Sequence, residues 1–584
     1  MKHDIGKKIE EVMNDHMECD ALNVEGKTYK YKDLHLKANI IKNAINNKLN
    51  KNNQFIGIFC YRTLEAYSGI IGTLLSKNAY LPINLKLPLD KINKIIKISE
   101  CPAIILGEEG VEAFSSLDQK GLIVICPNPG KKIEKLIKNN KDHKYILPET
   151  IPIEEKQQPN INKDDPAYLM FTSGSTGEPK GIVVSHQNLS SYSSYMIKKY
   201  EFSSNDRISQ APDISFDLSI QDLFTSFLCG GCLYVLPKEV MVAPFKFINK
   251  NKLTVWTSVP SVGIFMDNLG QLVPESLPSL RLSLFCGEGL PCELASKWKR
   301  AAVNSKVINF YGPTEATVMF TSHEWELDDQ DKNCFNGLAS IGKTFEHMKL
   351  KLIEDMSEVD DGKVGEICIS GPQVINGYFK DKPLTKDKFI TLNNDKNQIW
   401  YRTGDLAKKG NNDNYFFVGR IDDQMQVRGH RVEMLEIDNV IRKIVGHLMA
   451  VTIPVMEEGN NIIEDIVAFS EFTENNLSED DVIKKCRSFL PDYMIPSKIF
   501  FIEKLPLNQN GKIDKKKLHN QLNNKNIKPD QDHNETHSID DSKSCYVCLK
   551  KLSEDKELSG FGLIKIIKHN GDEALICHTC LKGF

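Results

Sequence analysis

The chain has 584 residues, of which 41% are hydrophobic and 26% charged, and its formal net charge at pH 7 is -4. This length exceeds what one hydrophobic core can organise, so about three or four domains are expected. The charge gives no support to nucleic-acid binding, and no run of about 18 uncharged apolar residues predicts a membrane-spanning helix.

The N-terminal part of the chain reads as a helix followed by an α/β unit. The first residues, MKHDIGKKIEEVMNDH, are charged, helical in pattern and without the apolar core of a signal peptide, which predicts a cytoplasmic protein. From about Thr28 to Leu236, helical patterns alternate with short apolar runs such as FIGIFC, PAIILG and GLIVICP. This alternation predicts strand-helix-strand units in a parallel sheet.

All but four of the 15 cysteines are scattered without the spacing of a disulfide framework. They are therefore predicted to be buried, reduced thiols. The pair Cys229 and Cys232 lies in FLCGGCLYVL, where a Gly-Gly turn between a helix and a strand accounts for the spacing. A metal or redox role for that pair is the alternative.

The stretch from Leu169 to Gly181, LMFTSGSTGEPKG, turns from an apolar strand into a loop that ends in a lysine. Its glycines allow the backbone to expose N–H groups, its hydroxyls add donors, and the lysine adds a positive charge. This composition predicts a site for a nucleoside triphosphate, although the Gly-Lys-Ser/Thr ending of a Walker-type loop is absent. A flexible Ser/Gly connector is the alternative. The loop residues concerned are Thr172, Ser173, Gly174, Ser175, Thr176, Gly177 and Lys180.

A second round of strand-like runs follows in LTVWTSVP, RLSLFCGEG and KVINFYG. Between Lys349 and Phe417 the pattern changes to alternating strands and turns, which predicts a β-rich subdomain. After Gly419, helical pieces at 435–445 and 479–490 are separated by AVTIPVME and IVAFSEF. The predicted fold class is α/β, with a large N-terminal domain at residues 1–418 and a small α+β domain at residues 419–518.

The end of the chain has a different composition. Residues 519–543 contain almost no apolar side chains and are predicted to be a flexible linker. In residues 544–584, two Cys-X-X-Cys pairs are separated by 28 residues, a spacing that predicts a tetrahedral zinc site stabilising a small module. A disulfide pair or accidental spacing is the alternative. The proposed ligands are Cys545, Cys548, Cys577 and Cys580.

Five further motifs accompany the loop at 169–181 in a fixed order: FDLSIQD (216–222), NFYGPTEATV (309–318), YRTGDLA (401–407), GRIDDQMQVRGHRVEMLEID (419–438) and LPLNQNGKIDKKKL (505–518). Together they resemble the amino-acid adenylation enzymes of the ANL superfamily, which includes nonribosomal peptide synthetase adenylation domains, acyl-CoA synthetases and luciferases. The resemblance covers about Thr28 to Leu518. It implies an adenylate-forming domain of parallel-sheet layers plus a β subdomain, followed by a small mobile domain.

The resemblance also implies the chemistry. A carboxylate attacks the α-phosphate of ATP to give an acyl adenylate and pyrophosphate, and a thioester then forms on a phosphopantetheine arm or CoA. The loop residues would hold the β- and γ-phosphates, and Asp405 and Arg420 would contact the ribose. Tyr311 would pack against adenine. The residues implied in catalysis are Thr314 at the α-phosphate, Glu315 at Mg²⁺, and Lys512 between the substrate carboxylate and the α-phosphate.

Two more positions follow from the same resemblance. Asp422 matches the hinge about which the small domain swings between an adenylating and a thioester-forming orientation, and Gly429 lies in the loop that approaches the active site in the second. Without its NGK context, Lys512 would read as a solvated lysine beside its neighbouring lysines. Likewise, Asp405 in TGD could cap a turn.

Asp217 points to an amino acid as the substrate, because in the amino-acid-activating branch this position pairs with the substrate ammonium. A helix cap ahead of LSIQDLF is the alternative. Motifs such as LFCGEGLP are closest to the D-alanine ligases that charge a carrier protein, although Gln221 is polar where an apolar residue would be expected for alanine. The bulky Phe310 and Met319 indicate a small side chain. The implied pocket is Asp217, Leu218, Gln221, Thr257, Leu284, Cys286, Phe310, Val318 and Met319.

No carrier sequence with a phosphopantetheine-accepting serine follows Leu518, so the predicted acceptor is a separate carrier protein. The zinc module is predicted to be structural or to dock a protein partner. The alternative functions are an acyl- or aryl-CoA ligase, which Asp217 opposes, and a non-catalytic adenylate-binding scaffold that acts through the zinc tail.

Overall fold

The computed structural model describes residues 3–49, 51–147, 160–172, 178–241, 243–329, 332–392, 395–410, 412–421, 424–427, 429–446, 449–456, 463–471, 477–506, 513–523, 564–567 and 573–576. The predicted hinge Asp422, Lys512 and the four tail cysteines lie outside these residues. So do the central phosphate-loop positions Ser173, Gly174, Ser175, Thr176 and Gly177.

Helices flank the sheets, and several begin at a side chain that caps their free backbone N–H groups. Asp4 accepts from the Lys7 N–H at 3.0 Å at the start of the first helix, and Ser185 and Asn188 form a capping box at the start of the seventh. The α-helices of the described ranges are α1 (Ile5–Asp15), α2 (Tyr31–Lys48), α3 (Leu64–Leu75), α4 (Leu89–Ser99), α5 (Val111–Ser115), α6 (Lys131–Asn139), α7 (His186–Lys199), α8 (Leu218–Cys229), α9 (Phe245–Asn251), α10 (Pro260–Asn268), α11 (Cys292–Ala301), α12 (Lys382–Lys388), α13 (Met434–Val445), α14 (Glu479–Cys486) and α15 (Lys515–Asn523).

The first α/β unit forms a sheet whose strands are the apolar runs of the sequence. Its pairs are parallel except the last, which is antiparallel and carries the ends of the phosphate-binding loop candidate. The strand order is β7 (Lys144–Ile146), β6 (Ile123–Ile125), β5 (Ala103–Leu106), β3 (Phe55–Phe59), β4 (Ala79–Pro82), β8 (Pro166–Thr172) and β9 (Lys180–Ser185). The central strands β3, β4 and β5 are apolar and almost wholly buried, as expected of parallel strands inside an α/β sheet.

The second unit forms a sheet with a parallel centre and antiparallel edges. Its central strands end at one edge, where ligands commonly bind in α/β proteins. The order is β18 (Lys343–Thr344), β15 (Thr321–Trp325), β14 (Lys306–Tyr311), β13 (Leu282–Phe285), β12 (Val255–Ser258), β10 (Arg207–Gln210), β11 (Cys232–Val235), β1 (Asp20–Val24) and β2 (Lys27–Lys30).

The predicted β-rich subdomain is an antiparallel sheet. Its order is β20 (Ser357–Glu358), β19 (Lys349–Glu354), β21 (Val364–Ser370), β23 (Asp395–Lys409) and β22 (Phe389–Leu392), with β24 (Tyr415–Arg420) also beside β23. A separate short hairpin pairs β16 (Cys334–Phe335) with β17 (Leu338–Ala339). The parallel-layer and β-subdomain parts of the predicted fold class are thus confirmed.

The small C-terminal domain is α+β, as predicted. A hairpin of β25 (Gln424–Val427) and β26 (His430–Glu433) leads into α13. A sheet of β27 (Ala450–Met456), β28 (Ile463–Glu471) and β29 (Lys498–Ile502) packs with α13 and α14 around a core that includes Val432, Ile437 and Ala468. In the tail, β30 (Ile564–Ile567) and β31 (Glu573–Ile576) form an antiparallel pair.

Two cysteines correct the expectation of reduced thiols. The Sγ atoms of Cys292 and Cys334 form a disulfide across a separation of 42 residues, with their Cα atoms 6.2 Å apart. The start of α11 packs beside β17, and this contact brings the partner strand β16 within bonding reach. At Cys229 and Cys232 the predicted Gly-Gly turn is present: α8 ends at the first, and β11 begins at the second. Among the helices of the described residues, none is long and apolar enough to cross a membrane.

Candidate active site

The ends of the loop at 169–181 are held side by side. Strands β8 and β9 pair antiparallel with Thr172 opposite Lys180, so these two residues lie next to each other. The Lys180 ammonium lies 2.8 Å from Oε1 of Glu433 in the small domain, and these side chains are only 17% and 7% exposed. The lysine predicted to bind phosphate is therefore engaged by a carboxylate in this domain arrangement.

Three residues predicted to bind the nucleoside form one cluster. Asp405 on β23 and Arg420 on β24 are directly opposite in the strand register, and the Arg420 guanidinium donates to the Asp405 carboxylate. The hydroxyl of Tyr311, at the end of β14, donates to the other oxygen of the same carboxylate. Burial, and the nearby Asp405 charge, raise the pKa of Tyr311 well above its usual range. Asp405 accordingly links the second α/β sheet to the β subdomain, where a nucleoside could meet all three side chains.

The turn after β14 carries Thr314 and Glu315. Both are buried, and Oε1 of Glu315 accepts a hydrogen bond of 2.6 Å from the Tyr378 hydroxyl. That hydroxyl lies 3.1 Å from the hydroxyl of Tyr401. A carboxylate oriented in this way suits Mg²⁺, which is bound by one or two carboxylates together with substrate phosphates. Within the described ranges no group of three or more His, Cys, Asp or Glu side chains could hold a metal by itself.

The same turn has an unusual backbone. Thr317 and Val318 have φ values of +58° and +75°, a region that β-branched residues rarely adopt. The buried Gln373 supports the turn from the β subdomain side: its amide donates to the carbonyls of Ala316 at 3.1 Å and Met319 at 2.8 Å. Its own backbone carbonyl accepts from the Thr317 hydroxyl at 2.6 Å. Gln373 lies outside the sequence motifs, so no signal in the sequence marks it.

The predicted amino-acid pocket is assembled at the carboxyl edge of the second sheet. Thr257 and Leu284 are register partners on neighbouring strands, and Cys286 and Phe310 follow near the ends of β13 and β14. Burial raises the pKa of the Cys286 thiol, and the nearby Asp217 charge adds to this. The remaining members, Leu218, Val318 and Met319, are buried.

Asp217 occupies the cap position of α8, yet its side chain makes no capping hydrogen bond to the helix. The interpretation of Asp217 as a helix cap therefore lacks the side-chain hydrogen bond that a cap would make. Asp217 and Gln221 are one helical turn apart and so lie on the same face of α8. The Tyr192 hydroxyl of α7 donates to Oε1 of Gln221 at 2.5 Å, and both side chains are fully buried. Tyr192 is thus a pocket neighbour that the motifs did not reveal.

The small domain docks against this site. Phe216, which precedes Asp217, meets His430 with ring centroids 4.5 Å apart, and His430 stacks on Tyr493 at 3.9 Å. Lys91 of α4 pairs with Glu436 at the start of α13, an ion pair with both side chains largely buried. Gly429, between β25 and β26, lies beside Val259, which follows β12: a Cβ on Gly429 would lie 2.6 Å from Cγ1 of Val259. The approach of Gly429 to the active site in a thioester-forming orientation stays a prediction.

Comparisons with known proteins bear on the family and the fold of the chain. Residues 9–379 match the model of a family described as AMP-binding enzyme. The chain is 34% identical to a D-alanine--D-alanyl carrier protein ligase of Bacillus licheniformis, over 75% of this chain and 84% of that protein. It is 29% identical to tyrocidine synthase 1 of Brevibacillus parabrevis over 88% of this chain, but spans only 45% of that longer protein.

Among solved structures, the adenylation domain AlmE of Vibrio cholerae, in complex with glycyl-adenosine-5'-phosphate, superposes with a TM-score of 0.80. It shares 31% identity and covers 89% of this chain and 98% of its own. Holo-PA1221, which contains adenylation and PCP domains, has a TM-score of 0.72 at 21% identity and covers 88% of this chain and 84% of its own. The second likeness concerns the fold alone.

Proposed function

The chain belongs to the AMP-binding enzyme family, and from this premise we propose that it activates a small amino acid with ATP and transfers it to a carrier protein. The amino acid becomes an aminoacyl-AMP with release of pyrophosphate. A phosphopantetheine thiol of a separate carrier then displaces AMP and forms a thioester. The observation that carries this proposal is that Phe310 of the pocket and Tyr311 of the nucleoside cluster are consecutive on β14.

Different residues would have different roles in the first step, the formation of the aminoacyl-AMP. Tyr311, Asp405 and Arg420 would hold the nucleoside, with Thr314 at the α-phosphate. Thr172 and Lys180 bound the loop that would hold the β- and γ-phosphates, together with Ser173, Gly174, Ser175, Thr176 and Gly177. A Mg²⁺ ion at Glu315 would neutralise charge on the phosphates. Lys512, which lies outside the described residues, would stabilise the charge that develops as the two anions meet.

Asp217 supports an α-amino acid as the substrate, because a carboxylate beside an apolar, buried pocket favours a ligand that brings a positive ammonium. The bulk of Phe310 and Met319 and the closed Tyr192–Gln221 pair favour a small side chain. The likenesses to a D-alanine ligase and to a glycyl-adenylate complex point the same way. We therefore propose D-alanine or another small amino acid.

Pyrophosphate exchange tests the first half-reaction directly. The assay would use the full chain with ATP, labelled pyrophosphate and a panel of D- and L-amino acids, fatty acids and aryl acids. Exchange with glycine or alanine, and its loss in Asp217→Asn, is the expected result. Exchange with fatty or aryl acids alone would replace this proposal with an acyl- or aryl-CoA ligase. If no acid supports exchange, the result would favour the alternative of a non-catalytic, adenylate-binding scaffold.

The tail is a separate proposal. The cysteines at 545, 548, 577 and 580 would bind one Zn²⁺ as thiolates, and the module would be structural or dock a protein partner. Removing residues 544–584 should eliminate zinc measured by elemental analysis and leave exchange largely intact. A cytoplasmic location and the hinge role of Asp422 stay predictions from the sequence.

A further inference from the structure

The side chain of Tyr378, in the segment between β21 and α12, reaches the carboxylate that is proposed to hold Mg²⁺. Its hydroxyl donates to Oε1 of Glu315 at 2.6 Å and lies 3.1 Å from the hydroxyl of Tyr401 on β23. Tyr378, Tyr401 and Glu315 are 7%, 1% and 1% exposed, so bulk water does not compete for these bonds. The three side chains therefore form a buried chain of polar groups that ends at Glu315.

The chemistry of this chain gives its hydrogen bonds a direction. A Glu315 carboxylate that holds a cation is ionised and only accepts, so the Tyr378 hydroxyl donates to it. The Tyr378 oxygen can then accept from the Tyr401 hydroxyl. A hydrogen bond donated to a carboxylate favours its charged form. The carboxylate keeps further lone pairs with which it could contact a cation. Tyr378 would thus orient Glu315 and keep it ionised without blocking it.

The backbone on both sides of Tyr378 is fixed to parts of the proposed site. The Ile375 N–H donates to the backbone carbonyl of Glu315 at 3.0 Å. The Phe379 N–H donates to the carbonyl of Gly181, in the phosphate-loop candidate, at 2.8 Å. The Tyr378 hydroxyl therefore has a defined position relative to the carboxylate that it contacts.

We propose that Tyr378 is a positioning residue for the Mg²⁺ that accompanies ATP: its hydroxyl orients the Glu315 carboxylate, and Tyr401 donates to that hydroxyl in turn. This inference rests on the proposed function. It goes further by assigning a role to two tyrosines that have no other part in the proposed chemistry. Residues that hydrogen-bond a metal ligand commonly change metal affinity or activity by about 10- to 100-fold when they are replaced.

A role in packing alone predicts a different result. The Tyr378 ring packs edge-on against Phe389, with ring centroids 6.0 Å apart, and Tyr378→Phe keeps that ring and removes only the hydroxyl. Tyr31→Phe is the matched control. The Tyr31 hydroxyl is also buried and donates to the backbone carbonyls of Ser226 at 3.2 Å and Gly231 at 2.7 Å, neither of which belongs to the proposed site.

The test measures nucleotide binding as well as turnover, in the full chain. Calorimetric titration with α,β-methylene-ATP gives one Kd with Mg²⁺ and another in EDTA. The ratio of these Kd values measures how much the metal strengthens nucleotide binding. Pyrophosphate exchange at increasing Mg²⁺ concentrations is the second measurement. The variants are Tyr378→Phe, Tyr401→Phe, Glu315→Gln, the double variant of Tyr378 and Glu315, and Tyr31→Phe.

We expect Tyr378→Phe to lower the Mg²⁺ enhancement of binding by about 10-fold or more, with the Kd in EDTA unchanged within about threefold. The Mg²⁺ concentration that gives half-maximal exchange should rise by a similar factor. Tyr401→Phe should have a smaller effect, because Tyr378 can still donate to Glu315. Tyr31→Phe should leave the enhancement unchanged.

The double variant shows whether Tyr378 acts through Glu315. Once Glu315→Gln has weakened the metal site, Tyr378→Phe should have little further effect on the enhancement. Additive effects would overturn the proposal. So would an unchanged enhancement in Tyr378→Phe, an equal loss of binding with Mg²⁺ and in EDTA, or a wild type whose binding does not depend on Mg²⁺.

The two measurements also distinguish this proposal from the proposed function. If the wild type shows the Mg²⁺ enhancement but exchanges pyrophosphate with no acid, the proposed function fails. The binding ratios of the variants then decide the role of Tyr378 by themselves.

Discussion

The hydrogen bond between Tyr192 and Gln221 is the contact on which the size of the proposed substrate depends most directly. Both side chains are 0% exposed, so water cannot replace either partner. Tyr192→Phe removes the donor and leaves Oε1 of Gln221 buried without it. An unsatisfied buried acceptor costs about 1 to 3 kcal/mol. Each 1.4 kcal/mol is about tenfold in an equilibrium constant, so the effect is well within measurement.

A double-mutant cycle measures this contact. Tyr192→Phe and Gln221→Met each remove one partner with little change of shape, and the double variant removes both. In urea unfolding of the large domain, each single variant should lose about 1 to 3 kcal/mol, and the double variant should lose less than the sum by about 1 kcal/mol or more. Additive losses would show that the bond does not stabilise the native pocket.

The Tyr192–Gln221 pair also leads to a prediction about which amino acids the protein activates. Gln221→Ala removes most of the side chain beside the pocket, so kcat/KM for valine relative to glycine should rise by about tenfold or more. The estimate follows from the ratio of kcat/KM values, about 10- to 200-fold, by which an apolar pocket distinguishes substrates that differ by one methylene. The measurement is pyrophosphate exchange with both amino acids. An unchanged ratio would refute the idea that Tyr192 and Gln221 bound the side-chain pocket.

Three other predictions concern charge. Burial lowers the pKa of His186 to about 4 from its ordinary 6.5, and its Nδ1 accepts from the Ile5 N–H. In the unfolded chain this imidazole is protonated below about pH 6.5, whereas in the native state it stays neutral down to about pH 4. The free energy of unfolding should therefore fall by roughly 3 kcal/mol from pH 7 to pH 4. His186→Gln should flatten this dependence in chemical denaturation. Glu433→Gln should slow thioester formation by about tenfold through its weakened contact with Lys180, with exchange retained. Lys512→Ala should lower exchange by at least about 10²-fold and spare transfer from supplied aminoacyl-AMP, and equal loss in both would contradict its assigned role.

The parts of the site that could be predicted are those encoded by short motifs. Thr314, Glu315 and Asp405 belong to contiguous motifs, so the sequence alone names them as candidates, and their roles stay predictions. The long-range contacts of the site residues could not be predicted from the sequence. Lys180 meets Glu433 across 253 residues, and the Tyr192 donor lies 29 residues from its acceptor. Such pairs are set by how helices and domains pack, which no local pattern records.

The cysteines also show that local features can be predicted from the sequence and long-range contacts cannot. The Gly-Gly pair in FLCGGCLYVL correctly predicted a turn between Cys229 and Cys232, because a turn is a local feature. Scattered spacing wrongly predicted reduced thiols at Cys292 and Cys334, because their proximity arises from the packing of α11 beside the short hairpin. Spacing along the chain therefore constrains turns well and long-range bonds poorly.

The turn from Ala316 to Met319 shows why a motif can be contiguous while its support is remote. Non-glycine residues at positive φ each cost on the order of 1 to 3 kcal/mol, so Thr317 and Val318 need compensation from their surroundings. Gln373 supplies it by bonding the carbonyls on both sides of the two residues and accepting from the Thr317 hydroxyl. With both ends fixed, Glu315 at one end and Met319 at the other cannot move independently. The strained turn thus joins Glu315, proposed to lie at the phosphates, to Met319, proposed to line the amino-acid pocket.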